Sequence, residues 1–252
     1  MDPIIKIQNL RKVYRVGSER VVALDNIDLE ILPGEICCIL GTSGSGKSTL
    51  LNMLAGLERP TRGSVNILGT DIAKASEKQL AKFRREKIGF IFQSYNLLGS
   101  LNALENVALP LTFRKVPKRK REAAAKKMLK AVGLGKHIRH RPSQMSGGQQ
   151  QRVGIARAYV TNPPVVFADE PTGNLDSKTT IEVMEMITAI AREHNQTLII
   201  VTHDREIADY ADRILFLLDG RIESDTRVEH KPKPDPTPEA PAEPADPPTQ
   251  SA

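Results

Sequence analysis

The run from Gly41 to Thr49 has the residue types and spacing that phosphate binding requires. It matches the pattern G-x-x-x-x-G-K-[ST] at Gly41, Gly46, Lys47 and Ser48. In such a loop, backbone N–H groups form an anion-binding concavity, and a helix that begins there adds partial positive charge. The residues expected to contact a nucleoside triphosphate are Gly41, Thr42, Ser43, Gly44, Ser45, Gly46, Lys47, Ser48 and Thr49. Lys47 would contact the outer phosphates, and the hydroxyl of Ser48 would bind Mg²⁺.

A pair of acids follows a second apolar run about 120 residues downstream. Asp169 and Glu170 come directly after Val165 to Ala168, and the carboxyl ends of parallel strands point into the ligand crevice of such sheets. We expect Asp169 to hold the Mg²⁺ shell, through water, and Glu170 to orient and deprotonate the attacking water. The alternative is that two acids simply end a strand.

The segment Ser146-Gly147-Gly148-Gln149 places small residues directly before a predicted helix. Small residues let a helix N-terminus approach a phosphate closely, and the Ser146 hydroxyl adds a donor. Since the phosphate loop already provides an anion site, we expect Ser146, Gly147, Gly148 and Gln149 to contact nucleotide held by a second copy of the chain. A glycine-rich helix cap without a ligand is the alternative.

Apolar patterns predict the elements that position these groups. Residues 4–36 alternate apolar and polar positions, as half-exposed antiparallel strands do, whereas Glu35 to Leu40 is typical of a buried strand. Strands then alternate with helices, which indicates an α/β domain with a largely parallel sheet. Further strands are predicted at 63–68, 88–92, 165–168, 198–201 and, as the last, 213–218. Helices are predicted at 48–57, 76–86, 101–134 with a break at Pro117, 178–194 and 204–211, and residues 145–160 are predicted to be a glycine-rich loop that leads into a helix.

Composition narrows the class of protein less than the motifs do. The 252 residues carry a net charge of +6, but the first 228 contain 34 basic and 25 acidic residues. This positive charge is compatible with binding to nucleic acid, with binding to anionic lipid, or with solubility alone.

Cys37 and Cys38 are adjacent in a strand, so they should point to opposite faces and form no disulfide. Without a signal segment or a run of about 20 apolar residues, we expect a soluble, cytoplasmic protein. Residues 229–252 contain eight of the 17 prolines, which predicts a disordered tail, although a proline-binding partner is an alternative.

The motif set resembles the ATP-binding subunit of an ABC transporter, over residues 4 to about 225. The matching segments are the phosphate loop, Gln93, Met145 to Gln149, Asp169-Glu170, Asn174 to Asp176, and His203. Met145 departs from the family's usual leucine, a swap of similar volume that should cost little. The resemblance implies that Tyr14 stacks on adenine, that Gln93 binds Mg²⁺ and senses the permease, that Asp176 links two nucleotide sites, and that His203 acts catalytically at the γ-phosphate. For Tyr14, ordinary packing on an edge strand is the alternative.

The resemblance also implies an architecture and partners. We expect a P-loop NTPase core with a mainly parallel sheet, an N-terminal antiparallel β subdomain and an inserted α-helical subdomain at about 94–146. The ATP-binding domain would cover 4–228 and the Pro-rich tail 229–252. Two copies would close head-to-tail over two ATP and Mg²⁺ at the cytoplasmic face of the membrane, against an integral membrane permease and without nucleic acid.

The sequences of three segments are similar to those of the macrolide-export and lipoprotein-release branch of the family. These segments are Ala168 to Asp176, Phe92 to Leu98, and Leu101 to Leu111 with Glu105-Asn106-Val107. The alternative is a soluble ATPase of the same fold that acts on nucleic acid or ribosomes. The excess of basic residues in the first 228 positions favours this alternative. Against it, only about 50 residues separate Gln93 from Met145, too few for a long coiled coil, and one motif set is present. A kinase or small GTPase would leave Ser146 to Gln149 unexplained.

Overall fold

Two β-sheets position the predicted site residues. The computed structural model describes residues 2–228. An antiparallel sheet of four strands has the order β2-β1-β4-β5, and a six-stranded sheet has the order β10-β9-β3-β8-β7-β6. The strands are β1 (Ile5–Val16), β2 (Glu19–Ile31), β3 (Ile36–Leu40), β4 (Arg62–Ile67), β5 (Thr70–Asp71), β6 (Ile88–Phe92), β7 (Val165–Asp169), β8 (Thr197–Thr202), β9 (Arg213–Leu218) and β10 (Arg221–Arg227).

The antiparallel sheet follows from the alternation seen in the N-terminal sequence. Strand β2 buries Leu24, Ile27, Leu29 and Ile31 and turns the residues between them mainly outward. The buried side chains pack against the apolar face of helix α1 (Lys47–Leu54) and one face of the second sheet. The predicted antiparallel β subdomain is therefore confirmed.

The second sheet is parallel except for its last strand. Strands β9, β3, β8, β7 and β6 run parallel, and β10 pairs antiparallel with β9. All five residues of β3 are buried, and alternate residues face two different cores. Cys37 faces one core and Cys38 the other, as predicted, and both thiols are free. Burial raises the pKa of both thiols, that of Cys38 to about 12, so both stay protonated at neutral pH.

Helices cover the sheet and fill the interval after β6. After α1 they are α2 (Glu77–Lys87), α3 (Ala103–Phe113), α4 (Lys118–Ala131), α5 (Gly147–Tyr159), α6 (Ser177–Glu193) and α7 (Arg205–Ala208). Reciprocal capping boxes begin α2 at Ser76 and Gln79 and α3 at Asn102 and Glu105. Pro117 precedes the first residue of α4, so the predicted break lies between α3 and α4.

The structure corrects the sequence prediction at three places. The last described strand is β10 and not β9, because β10 is a polar, exposed edge strand without an apolar pattern. Short β5 was not predicted either. Helix α7 has four residues, shorter than the predicted 204–211. The predicted tail at 229–252 lies outside the described residues. Within 2–228, no helix has both the length and the apolar composition needed to cross a membrane.

Candidate active site

The loop between β3 and α1 forms one wall of a cleft of about 810 Å³. Most of the phosphate-loop residues line this cleft, and three of the other predicted residues reach it from separate strand ends. Those three are Gln93 after β6, Glu170 after β7 and His203 after β8. Residues that the sequence did not single out complete the lining; they are Val21, Val22, Ala23, Leu40, Arg205 and Phe216.

Gly46 shows why the loop needs glycine. Its φ is 102°, in the left-handed region, and it is the residue from which α1 begins. A Cβ at this position would lie 2.5 Å from the carbonyl oxygen of Ala23. A larger residue would therefore be strained in its backbone and would clash with β2.

The loop holds Lys47 at the bottom of the cleft. The side chain is buried, and Nζ donates to the carbonyl oxygens of Gly41 at 2.8 Å and Thr42 at 2.7 Å. Burial lowers the pKa of Lys47, while the charges of Glu170 and Asp169 act in the opposite direction. Near it, the hydroxyl of Ser45 is buried without a hydrogen-bond partner in the described chain. Ser45 does not line the cleft, whereas the Lys47 side chain and the other loop residues do, and this set fits the phosphate group that the loop sequence predicts.

Glu170 is held in place by two polar side chains from the end of β8. The Thr202 hydroxyl donates to Oε2 at 3.0 Å, and His203 Nδ1 lies 2.9 Å from Oε1. The backbone of Glu170 has φ of 44°, and its N–H donates to Val201 O at 2.8 Å. A carboxylate oriented by a hydroxyl and an imidazole can accept a proton from a water molecule in the cleft.

Three oxygen ligands suited to Mg²⁺ come from neighbouring elements. Ser48 and Gln93 line the cleft, and Asp169 is half-buried at the end of β7, opposite Phe92 of β6. Burial raises the pKa of Asp169, as does Glu170, and Lys47 lowers it. Mg²⁺ prefers oxygen ligands such as these hydroxyl, amide and carboxylate groups. Three protein ligands suit a Mg²⁺ ion whose other ligands are phosphate oxygens and water. The part of the chain described contains no group of three or more His, Cys, Asp and Glu that could hold a metal.

The structure places Ser146 to Gln149 elsewhere. Ser146 caps α5: its Oγ accepts from the N–H of Gln149 at 3.3 Å, and Gln149 Oε1 accepts from the N–H of Ser146 at 3.1 Å. Ser146, Gly148 and Gln149 line a separate cleft of about 250 Å³, together with Arg152 and Thr179. None of Ser146 to Gln149 lines the cleft that contains Lys47.

Asp176 begins α6 beside this second cleft. Its carboxylate accepts from the N–H of Thr179 at 2.9 Å and from the Thr179 hydroxyl at 2.7 Å. The backbone hydrogen bond and then the hydroxyl lower the pKa of Asp176. A Cβ on Gly148 would lie 2.7 Å from Thr179, so the starts of α5 and α6 are in close approach.

Tyr14 lies next to the first cleft but not in its lining. Its hydroxyl donates to Glu58 at 2.6 Å, and Lys12 Nζ lies 4.9 Å from the ring centroid. Its partner across the β1–β2 ladder, Val21, does line the cleft. Stacking of Tyr14 on adenine stays a prediction.

Thr202 is the functional candidate that sequence reasoning missed. Its position directly before His203, at the end of an apolar strand, is the signal that could have revealed it. Because its hydroxyl bonds Glu170 and also accepts from the N–H of Asp204 at 3.1 Å, Thr202 joins the carboxylate to the backbone that carries His203.

Comparisons with known proteins show the family of this chain. The profile of the family described as ABC transporter matches residues 24–173. This chain belongs to the ABC transporter family. An ABC transporter ATP-binding protein of Thermotoga maritima is 48% identical over 88% of this chain and 95% of its own length. The macrolide export ATP-binding/permease protein MacB of Azoarcus sp. is 46% identical over 88% of this chain but only 34% of its own length.

A solved structure extends the comparison to the fold. The ATP-binding cassette MJ0796 of Methanocaldococcus jannaschii, a dimer in a post-hydrolysis state bound to ADP and Pi, has a TM-score of 0.84 and 42% identity, covering 90% of this chain and all of that one. The predicted P-loop fold, with its antiparallel and mainly parallel sheets, is confirmed. As an ABC cassette, the chain binds ATP and is an ATPase. The relatives reported give no support to the nucleic-acid alternative.

Proposed function

We propose that this ABC cassette hydrolyses Mg-ATP as a head-to-tail homodimer and drives a membrane permease in export, lipoprotein release or force transmission across the envelope. The observation that carries the proposal is the division of the predicted residues between two clefts. One cleft is lined by most of the phosphate loop, Gln93, Glu170 and His203, and the other is lined by Ser146, Gly148 and Gln149. A second copy, turned head-to-tail, would bring the second cleft to the first.

The predicted residues at the first cleft then have roles that their geometry permits. The loop N–H groups and Lys47 would bind the phosphates, and the groups that would hold Mg²⁺ are Ser48 and Gln93 in the cleft and Asp169 at the end of β7. Mg²⁺, when bound, neutralises charge on the phosphates. Glu170 accepts a proton from the attacking water, while Thr202 and His203 fix its carboxylate. Tyr14 would stack on adenine, and Asp176 would link the two sites.

The molar mass of the protein in solution tests the proposed dimer. Glu170→Gln with MgATP should run as a dimer in multi-angle light scattering, because bound ATP is not consumed and joins the two clefts. Adding Lys47→Ala should return the protein to a monomer. A monomer for Glu170→Gln at saturating MgATP would contradict the head-to-tail arrangement.

A groove on a different part of the surface fits the permease. It has a volume of about 850 Å³, with a floor of Ile88, Phe90 and Phe92 from β6, and Phe113 of α3 at its edge is 60% exposed. Lys78, Lys82 and Arg85 line one side from α2, and none of the lining residues within 2–228 is acidic. We infer that it takes a cytoplasmic segment of the permease with apolar side chains and an acid. The MacB relative, in which ATP-binding and permease parts share one chain, supports a permease as occupant.

Membrane rebinding tests the groove. Membranes of the source cell, stripped of peripheral proteins with urea, should rebind the wild-type chain at their cytoplasmic face. Phe113→Glu should weaken rebinding about tenfold or more, because it places a charge in the apolar contact. Leu57→Glu is the matched control, since Leu57 is 52% exposed and lines none of the three cavities named above. Equal rebinding by Phe113→Glu and Leu57→Glu would contradict the assignment of the groove.

A further inference from the structure

The loop that follows Gln93 has an unusual backbone. Tyr95 has φ of 58° and Asn96 has φ of 49°, so two consecutive residues other than glycine are in the left-handed region. Such conformations persist only where the surrounding structure holds them. Local hydrogen bonds run from the N–H of Tyr95 to Phe92 O and from that of Asn96 to Ser94 O. These short-range contacts leave the carbonyl groups of Tyr95 and Asn96 for other donors.

Arg157, on α5, supplies those donors. Its Nη2 donates to Tyr95 O at 2.8 Å and its Nη1 to Asn96 O at 2.5 Å. No carboxylate in the described chain forms an ion pair with Arg157, and burial alone lowers the pKa of its guanidinium. A half-buried cation without a counter-charge is costly unless its hydrogen bonds are well made. The planar guanidinium fits two adjacent carbonyl groups in a way that an ammonium cannot.

The same loop contacts the first residue of α5 and the segment just before α6. A Cβ on Gly147, the first residue of α5, would lie 2.8 Å from the Tyr95 hydroxyl. The backbone oxygen of Gln93 accepts from Asn174 Nδ2 at 3.0 Å, just before α6. Gln93 is thus tied, through its own loop, to the segments that carry Ser146 and Asp176.

We propose that Arg157 is a positioning residue for Gln93: by holding the carbonyl groups of Tyr95 and Asn96, it fixes the loop that places the Gln93 amide in the nucleotide cleft. This rests on the proposed role of Gln93 as a ligand of Mg²⁺. Removing a group that orients a metal ligand weakens metal affinity, typically by tenfold or more. A guanidinium that only stabilised the fold would change the free energy of unfolding and leave Mg²⁺ binding alone.

The experiment compares two arginines that donate to backbone carbonyl groups. Arg157→Met, Arg157→Lys and the control Arg114→Met are made in the Glu170→Gln background, where ATP is not turned over. Arg114 donates to Arg85 O, Glu86 O and Thr161 O, away from the Gln93 loop. Two quantities are measured. The first is the Mg²⁺ midpoint, the Mg²⁺ concentration at which the affinity for ATP reaches half of its maximum in a Mg²⁺ titration. The second is the rate of amide hydrogen exchange in residues 94–98 without nucleotide.

Arg157→Met should raise the Mg²⁺ midpoint about tenfold and speed exchange in 94–98. Arg157→Lys, which keeps one donor to the loop, should give a smaller rise. Arg114→Met should leave both quantities at the parent values. A parent-like midpoint in Arg157→Met, or an equal rise in Arg114→Met, would overturn the proposal. If Arg157→Met does not fold, Arg157→Lys decides, and a parent-like midpoint there overturns it.

Gln93→Ala separates this inference from the proposed function. A parent-like Mg²⁺ midpoint in Gln93→Ala would remove the assigned role of Gln93 and, with it, the ground for the inference. A raised midpoint in Gln93→Ala together with a parent-like midpoint in Arg157→Met would refute the role of Arg157 alone. Because Arg157 also lines the groove assigned to the permease, all measurements use the chain without a permease.

Discussion

At the scale of single residues, the cleft combines a cation and a carboxylate that are each held by the backbone or by neighbours. Lys47 bonds two carbonyl groups of its own loop, and Glu170 bonds Thr202 and lies beside His203. In the proposed roles of Lys47 at the phosphates and Glu170 at the attacking water, neither side chain would have to reorganise much. Pre-organisation of this kind lowers the cost of aligning charges in phosphoryl transfer.

Glu170→Gln should keep ATP binding and lose hydrolysis. The amide has nearly the same shape as the carboxylate but cannot accept the proton of the attacking water, so the single-turnover rate should fall by about 10²- to 10⁴-fold. Nucleotide affinity, measured by fluorescence titration, should change little. A near-normal rate in this variant would rule out Glu170 as the base.

Thr202→Val should lower kcat without abolishing it. Valine matches threonine in shape but cannot donate to Glu170 Oε2, and a hydrogen bond to a charged group contributes enough for about a tenfold effect. KM for ATP should stay near the wild-type value, since Thr202 does not line the nucleotide cleft. Steady-state kinetics measures both, and an unchanged kcat would show that His203 alone orients the carboxylate.

At the scale of elements, the sequence predicts what an apolar pattern or a motif reveals. Strands β3, β7 and β8 are buried apolar runs, and the motif residues lie at their ends. Strand β10 has the sequence RIESDTR, and all of its residues are exposed except Ile222, which is partly buried. Its sequence therefore has no apolar periodicity that would predict a strand. The hydrogen bonds from Arg157 to the loop after Gln93 could not be predicted from the sequence either. They join residues that are 61 and 62 positions apart in the sequence, so they depend on tertiary packing.

Asp225→Asn tests what holds β10 in the sheet. Arg213 donates to both carboxylate oxygens of Asp225 at 2.6 and 2.5 Å, and these bonds hold the pKa of Asp225 below 3.8. Because the pKa of Asp225 is lowered in the folded state, its ionised form stabilises the fold fully above pH 3.8. This stabilisation is lost as the pH falls through the pKa of Asp225 in the folded state. The variant should therefore be less stable at pH 7, by no more than about 1 kcal/mol because Asp225 is exposed, with the difference shrinking below pH 3.8.

Urea unfolding at pH 7 and at pH 3 measures the effect. Glu223→Gln is the control, because Glu223 lies on the same strand and has no ion-pair partner in the described part of the chain. A pH-independent loss of stability in Asp225→Asn would mean that packing, and not the charge pair, holds β10.

At the scale of the whole molecule, the end of the last described strand is hydrogen-bonded to the segment just before β9. The N–H of Val228 donates to Asp212 O at 2.9 Å, after the last residue of β10. Ending the chain after Val228 should leave ATPase activity and thermal stability close to those of the full chain. Ending it after Leu218 should lower the melting temperature, because β9 loses its edge partner. Loss of folding in the Val228 truncation would show that residues 229–252 pack on the domain.

A mixed dimer tests whether the two clefts work together. Lys47→Ala disables the first cleft, and Ser146→Arg places a bulky cation at the start of α5, so each homodimer should be inactive. In a heterodimer of the two variants, one site pairs an intact phosphate loop with an intact Ser146, and the other site carries both defects. Differently tagged subunits, purified as the mixed species, should recover about half of wild-type ATPase activity, since roughly one working site per dimer remains. Complete inactivity of a heterodimer shown to assemble would mean that Ser146 does not act across the interface.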